Sequence, residues 1–354
     1  MRRLLLLLAI VVPVSAHAQT LRPVEGMVTL PDYRFDDAER LPALRLHYLT
    51  LGTPQRDRQG DVTNAVLLMH GTTSDGRAFT TADMAQTLYG PGQPLDISRL
   101  FLVMPDSIGI GGSSKPSDGL CARFPHYGYL DQIQANHAVL RHLGVLHERL
   151  VLGTSMGGMQ TWQWAERYPG EADALVAVAS TAAPVTGRNM LWREMVMRAI
   201  TSDPEWHGGQ PERQHPPREW SVTAAPLFAI MTQDVGRLQT AIPNREAAST
   251  EFDALVSRQT SSASPCDVLY QFASSFDYDP RPELGQINVP FLSVNFADDL
   301  LNPPELLHLP ARANFHEYMV SSEASLYGHD TLNHPAGWSA GLQAFLDTVP
   351  GWKK

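Results

Sequence analysis

Ser155, one of the adjacent acids Asp298 and Asp299, and His329 lie far apart in the chain and have the types and the order needed to turn a hydroxyl into a nucleophile. A serine attacks a carbonyl only when a base takes its proton, an acid orients that base, and N–H donors receive the oxyanion. Ser155 is the centre of Gly153-Thr154-Ser155-Met156-Gly157, a G-x-S-x-G pattern that follows the apolar run Leu150 to Leu152 and precedes a helix-compatible segment through Tyr168. Strand, sharp turn and helix are the setting in which this pattern exposes its serine. The competing reading is an ordinary Gly/Ser turn in a strand-to-helix crossover.

The partners must then lie downstream in the order acid, base. Asp298 and Asp299 follow the apolar run Phe291 to Asn295, at a strand end, and Gly328-His329-Asp330 sits in a loop before the last helical segment. Taken singly, each could be a turn residue or a satisfied loop histidine. Two amides are expected to receive the oxyanion: that of Met156, just after the nucleophile, and that of Thr72 in His70-Gly71-Thr72-Thr73, the loop after strand Val66 to Met69. His70 precedes the serine and is out of order for the base, so it is expected to brace the loop. The loop Pro105 to Ser113 is glycine-rich but lacks the Lys-Ser/Thr ending of a phosphate-binding loop, and is read as a tight loop near the site's mouth.

The elements that must hold these residues follow from apolar patterning. Leu44 to Leu51 alternates moderately and predicts an early antiparallel strand. Val66–Met69, Leu100–Met104, Leu150–Leu152, Leu175–Ala179 and Phe291–Val294 are short continuous apolar runs, as expected of strands buried on both faces, and Phe315–Val320 is a further candidate. Helical segments are predicted over Gln132–Leu143, Met159–Tyr168 and Ala336–Val349. Strands alternating with helices imply an α/β fold with a mostly parallel sheet. Between about 184 and 284 the chain turns rich in Trp, Met, Pro, Gln and Ser with no buried strand, and is read as a helical cap inserted between core segments 19–183 and 285–354. Met190, Trp192, Met195, Met197 and Trp206 suggest an apolar acyl pocket there, with core packing as the alternative.

These motifs together resemble a known family. Gly153 to Gln160, Trp164 to Pro169, Asn189 to Ile200, Ser202 to Trp206, Asp299 to Pro304 and Gly328 to Asp330 are similar to the homoserine O-acetyltransferase branch of the α/β-hydrolases. The resemblance implies an α/β-hydrolase fold, with Ser155 as nucleophile, His329 as base, Asp299 as its orienter, and Thr72 and Met156 as oxyanion donors. It selects Asp299 over Asp298 because the family's acid stands four residues before the first proline of Pro303-Pro304. It also exposes a departure. The family's arginine that binds the amino-acid carboxylate is replaced by Met197, and the neighbouring Arg198 is rotated about 100° around the helix.

Bulk properties narrow the setting. Arg2 and Arg3, the apolar run Leu4 to Val14, and Ala16-His17-Ala18 read as a secretory signal peptide over residues 1–18, so a periplasmic or secreted location is expected. Without the two leader arginines, 25 cations (27 less 2) face 37 acidic residues, a net charge near −12. That balance opposes nucleic acid or anionic lipid as a partner, and no later stretch is expected to span a membrane. The two cysteines, Cys121 and Cys266, admit either a disulfide or two buried thiols. No metal or cofactor site is read from the sequence. The expected function is an exported serine hydrolase acting on a small-molecule carboxylic ester, with amide or lactone bonds open. An O-acyltransferase of the homoserine O-acetyltransferase type is the alternative, and a non-catalytic binding module on the same fold is a third reading. Oligomeric state is not readable.

Overall fold

The computed structural model describes residues 21–212, 215–307, 309 and 311–352, so the expected leader lies outside the described residues. Eight strands form one sheet: β1 (Val24–Arg34), β2 (Arg40–Leu51), β3 (Ala65–Met69), β4 (Phe101–Pro105), β5 (Leu150–Thr154), β6 (Leu175–Val178), β7 (Phe291–Phe296) and β8 (Phe315–Val320). Their order is β1-β2-β4-β3-β5-β6-β7-β8. The pairs β1–β2 and β2–β4 are antiparallel, and all others are parallel. Strands β3 to β7 are buried along their whole length, which explains their unbroken apolar runs: helices cover both faces of the sheet. The register pairs Met69 with Gly153, Thr154 with Val178 and Val178 with Val294. The carboxyl ends of β3, β5, β6 and β7 therefore finish nearly level, and the loops leaving them share one edge, where α/β folds place their sites.

Helices α1 (Ala82–Leu88), α2 (Tyr129–Leu143) and α3 (Met156–Arg167) belong to the first core segment. Five more, α4 (Gly187–Thr201), α5 (Glu219–Thr232), α6 (Val235–Ala241), α7 (Arg245–Ser262) and α8 (Pro265–Ala273), lie between β6 and β7. The chain closes with α9 (Ser322–Ser325) and α10 (Ser339–Leu346). Val139, Leu140, Met159 and Trp162 of α2 and α3 pack on one face of the sheet. Leu88 of α1, with Trp338, Leu342 and Phe345, packs on the other. A third core, built on Trp192, Val196, Trp220, Val268 and Phe272, holds α4, α5 and α8 together.

All three expected helices differ in their starts from the sequence expectation. Helix α2 starts three residues before Gln132 because distant carboxylates cap it: Asp277 accepts from Tyr129 N at 2.9 Å and Leu130 N at 3.0 Å, and Asp131 accepts from Gly128 N. Helix α3 starts at Met156, ahead of Met159, because tight packing against the sheet overrides the low helix propensity of Gly157-Gly158. Helix α10 is shorter than Ala336–Val349, since its first turn is the 3₁₀ segment Pro335–Gly337.

Cys121 and Cys266 form a disulfide, which excludes the pair of buried thiols. It fastens the first turn of α8 to the core. Around it, Ser117 donates from N and Oγ to Asp267 at 2.7 and 2.6 Å, Tyr270 Oη donates to Phe124 O at 2.5 Å, and Gln271 Nε2 donates to Gly109 O at 3.1 Å. By contrast, α6 has no buried residue. Among the described residues no helix is long and apolar enough to cross a membrane.

Candidate active site

Ser155 joins β5 to α3 with φ 54° and ψ −113°, a conformation costly for a residue bearing a Cβ. The surroundings impose it. Ser155 N donates to Val178 O at 2.8 Å, and Gly157 N donates to His70 O at 3.1 Å. Helix and sheet approach so closely that a Cβ on Gly157 would sit 2.0 Å from Met69 O, and one on Gly153 1.9 Å from Gly157 O. The two glycines of the pattern are thus required for close approach.

The three residues separated in sequence meet here. Ser155 Oγ lies 2.9 Å from His329 Nε2, and His329 Nδ1 lies 2.7 Å from Asp299 Oδ2. A carboxylate at Nδ1 fixes the proton there, so Nε2 is the acceptor for the serine hydroxyl. Asp299 Oδ1 accepts from Leu301 N at 2.8 Å and Asn302 N at 2.9 Å, which holds the carboxylate in one orientation. The adjacent Asp298 instead accepts from Gly328 N at 3.1 Å through Oδ2 and so anchors the histidine loop. All three residues of the relay are buried, Ser155 to 9% exposure.

Met156 is the first residue of α3, so its N–H has no intrahelical acceptor. Thr72 lies in the loop after β3, beside the nucleophile: a Cβ on Gly71 would be 3.5 Å from Ser155 Cβ. Among the described residues neither amide finds an acceptor. Met156 N lies at the positive end of the α3 dipole, next to Ser155, and Thr72 lines the same cavity as Ser155. His70 is fully buried and braces the loop: Nδ1 donates to Gly71 O at 2.8 Å, and Nε2 accepts from Ser107 N at 3.0 Å. Burial pushes its pKa down, which keeps the ring neutral. The glycine-rich loop after β4 is organised by buried Asp106, which accepts from Gly76 N, Gly112 N and His47 Nδ1.

Thr72, Ser155 and His329 line a cavity of about 100 Å³, roofed by Asn189, Trp192 and Arg193 of α4 and Phe228 of α5. Of the five apolar residues expected to form an acyl pocket, Trp192 alone lines this cavity. Met190 and Met195 are exposed, and Trp206 and Met197 pack into the third core. The exposed Arg198 pairs with Glu194. The cation in the roof is instead Arg193, one helical turn before Met197, a position that sequence reasoning misses. The available signal is the spacing: Asn189, Arg193 and Met197 fall four apart and share one helix face.

Two further spaces adjoin the cavity. Thr73, Trp192 and Phe228 are shared with an aromatic side pocket of about 40 Å³ that adds Trp220, Val268 and Phe272. Thr73 and Ser74 are shared with an outer chamber of about 560 Å³ whose charged lining is Asp75, Lys115 and Asp267. Among the described residues, the exposed trio Asp37, Glu39 and His126 could converge on a metal ion, but none of the three lines the catalytic cavity.

A family profile described as the alpha/beta hydrolase fold matches residues 64–325. A homoserine O-acetyltransferase from Thermobifida fusca is 37% identical over 183 residues, covering 48% of this chain and 47% of its own length. The chain thus spans about half the length of that relative. A probable acyltransferase from Methanothermobacter thermautotrophicus is 28% identical over 284 residues, covering 79% of this chain and 84% of its own. In three dimensions the chain resembles esterase E22, with a TM-score of 0.77 at 16% identity over 92% of this chain and 100% of that one.

Proposed function

Since the chain belongs to the α/β-hydrolase family and is homoserine O-acetyltransferase-like in sequence, we propose that it moves a short acyl group through Ser155 from an ester to a small hydroxyl-bearing acceptor. The observation that carries this is the aligned relay of Ser155, His329 and Asp299, at 2.9 and 2.7 Å, beneath residues of α4 and α5. Attack by Ser155 Oγ on the ester carbonyl sends its proton to His329 Nε2, and the oxyanion settles on the amides of Met156 and Thr72. His329 then protonates the departing alcohol, leaving an acyl-serine. A second hydroxyl, deprotonated by the same nitrogen, attacks this intermediate and regenerates Ser155. The acetyltransferase and acyltransferase relatives support an alcohol as that second nucleophile. The small cavity and its Trp192 and Phe228 walls suit a short acyl group.

Hydrolysis, with water in the second step, is the other reading, and Met197 in place of the family's carboxylate-binding arginine favours it. In either reading an uncharged ester is the better-fitting acyl source, since one lysine against two aspartates in the outer chamber gives no electrostatic hold on a polyphosphate donor. Export, proposed from the first 18 residues, is supported by the Cys121–Cys266 disulfide, since such bonds persist in oxidising compartments.

Purified protein given nitrophenyl acetate, with and without small alcohols and hydroxy amino acids, tests these readings. An acylated acceptor that forms at the expense of free acid, and vanishes in Ser155→Ala, is the expected result. Free acid alone, whatever the acceptor, makes the enzyme a hydrolase. No turnover, together with no labelling of Ser155 by a fluorophosphonate, removes both.

A further inference from the structure

Arg193 is an unusual residue to find over a serine nucleophile: it is 3% exposed, and among the described residues no carboxylate pairs with it. A buried guanidinium without a counter-charge is costly, so something must hold it in place. Two of its nitrogens are held. Nε donates to Asn189 Oδ1 at 2.9 Å, and Nη1 donates to the carbonyl of Phe272 in α8 at 3.0 Å.

Asn189 carries the contact onward. Its Nδ2 donates to Asn302 Oδ1 at 3.1 Å. Asn302 N donates to Asp299 Oδ1 at 2.9 Å, and Asn302 Nδ2 to Ala179 O at 2.8 Å, at the end of β6. An unbroken chain of buried hydrogen bonds therefore runs from α8 through Arg193 to the carboxylate that orients His329. Linked polar groups in a low dielectric reinforce one another, so each link helps set the last.

A second line leads to the oxyanion loop. Tyr129, the first residue of α2, is wholly buried, and its hydroxyl has no hydrogen-bond partner. Burial pushes this phenol's pKa up, against the pull of the Arg193 charge. An orphaned buried hydroxyl is a cost that native proteins seldom leave unexplained. Here it sits beside the one buried cation in the roof and beside the loop that carries an oxyanion donor.

We propose that Arg193 is a positioning residue that couples the helical roof to both sides of the relay. Through Asn189 and Asn302 it holds the Asp299 loop, and from the lining it shares with Ser155 and Thr72 it places a buried positive charge near the developing oxyanion. The inference rests on the acyl-serine reading. It assigns Arg193 to the rate of the chemical step and not to recognition of an anion on the substrate.

The test is steady-state kinetics on nitrophenyl acetate, which is neutral, and on its carboxylate-bearing analogue, nitrophenyl hemisuccinate. The variants are Arg193→Met, Arg193→Lys and Tyr129→Phe, each with its melting temperature measured. Removing a direct oxyanion donor costs on the order of 10²–10³ in rate. A residue acting one contact behind two parts of the relay is expected to cost about 30-fold in kcat in Arg193→Met. KM should stay within about twofold for both esters, and Arg193→Lys should regain part of the loss because a cation and a donor return. Tyr129→Phe is expected to cost about fivefold in kcat, and less when Arg193→Met is already present, because the Arg193 charge acts on this phenol.

A loss confined to the KM of the hemisuccinate overturns the proposal and makes Arg193 a reader of substrate anions. Losses that track only the unfolded fraction at the assay temperature overturn it in favour of a packing brace. Failure of the underlying reading shows separately, as wild-type protein whose Ser155 resists a fluorophosphonate.

Discussion

At the scale of single residues, the acid of the relay makes the sharpest prediction. Asp298 and Asp299 are adjacent and chemically identical, yet only Asp299 touches His329, while Asp298 anchors Gly328. Asp299→Asn should preserve the fold and lower kcat on nitrophenyl acetate by about 10³–10⁴, because an amide at Nδ1 favours the wrong tautomer. Asp298→Asn should stay within about tenfold of wild type. Equal losses in the two variants would show that the loop as a whole, and not the carboxylate at Nδ1, matters. Ser155 and His329 are legible in the sequence because motif, order and position agree, whereas Asp299 is separated from Asp298 only by the family resemblance. Arg193 is not, since a buried unpaired cation looks like any surface arginine until α4 is folded over the site. The methionines mislead for the opposite reason: apolar type says that burial is favourable, but Met190 and Met195 sit on the outward face of α4.

Among the elements, the turn between β5 and α3 carries the greatest constraint. Met69 O blocks any Cβ on Gly157 at 2.0 Å, and backbone on both sides cannot yield cheaply. Gly157→Ala is therefore expected to lose at least ~3 kcal/mol in urea unfolding, at the upper end for overpacking; a fully stable variant would mean that the helix can shift off the sheet. The central strands are legible because burial on both faces leaves a continuous apolar run, and the candidate Phe315–Val320 matches β8 to the residue. Strand β1 is not, because it lies at the sheet edge with mostly exposed side chains and carries Gly26 and Pro31. The start of α2 is hidden for a different reason. Its capping carboxylate, Asp277, lies 148 residues from Tyr129, beyond any local pattern.

For the molecule as a whole, two features set how stability answers to conditions. The disulfide closes a separation of 145 residues between core and α8. Its replacement in a Cys121→Ser, Cys266→Ser double variant should cost about 2–5 kcal/mol in urea unfolding, and should abolish any effect of reductant on the midpoint; an unchanged midpoint would show that the contacts around Asp267 suffice. Glu148 is fully buried with neither carboxyl oxygen hydrogen-bonded, and burial pushes its pKa up from 4.5 to about 8. The folded state thus holds this proton more tightly than the unfolded chain does. The stability that follows is complete below the unfolded value and is lost as pH climbs from about 4.5 toward 8. Glu148→Gln should flatten that decline, so its melting temperature should exceed that of wild type by more near pH 8 than near pH 5. A parallel pair of curves would place the proton elsewhere. The spread of the relay along the chain has a temporal meaning as well. Ser155 is made early, but its base follows β8, the last strand of the sheet to be synthesised. A growing or unthreaded chain therefore carries a nucleophile with no one to awaken it, and the protein stays chemically silent toward its surroundings until its final strand has docked.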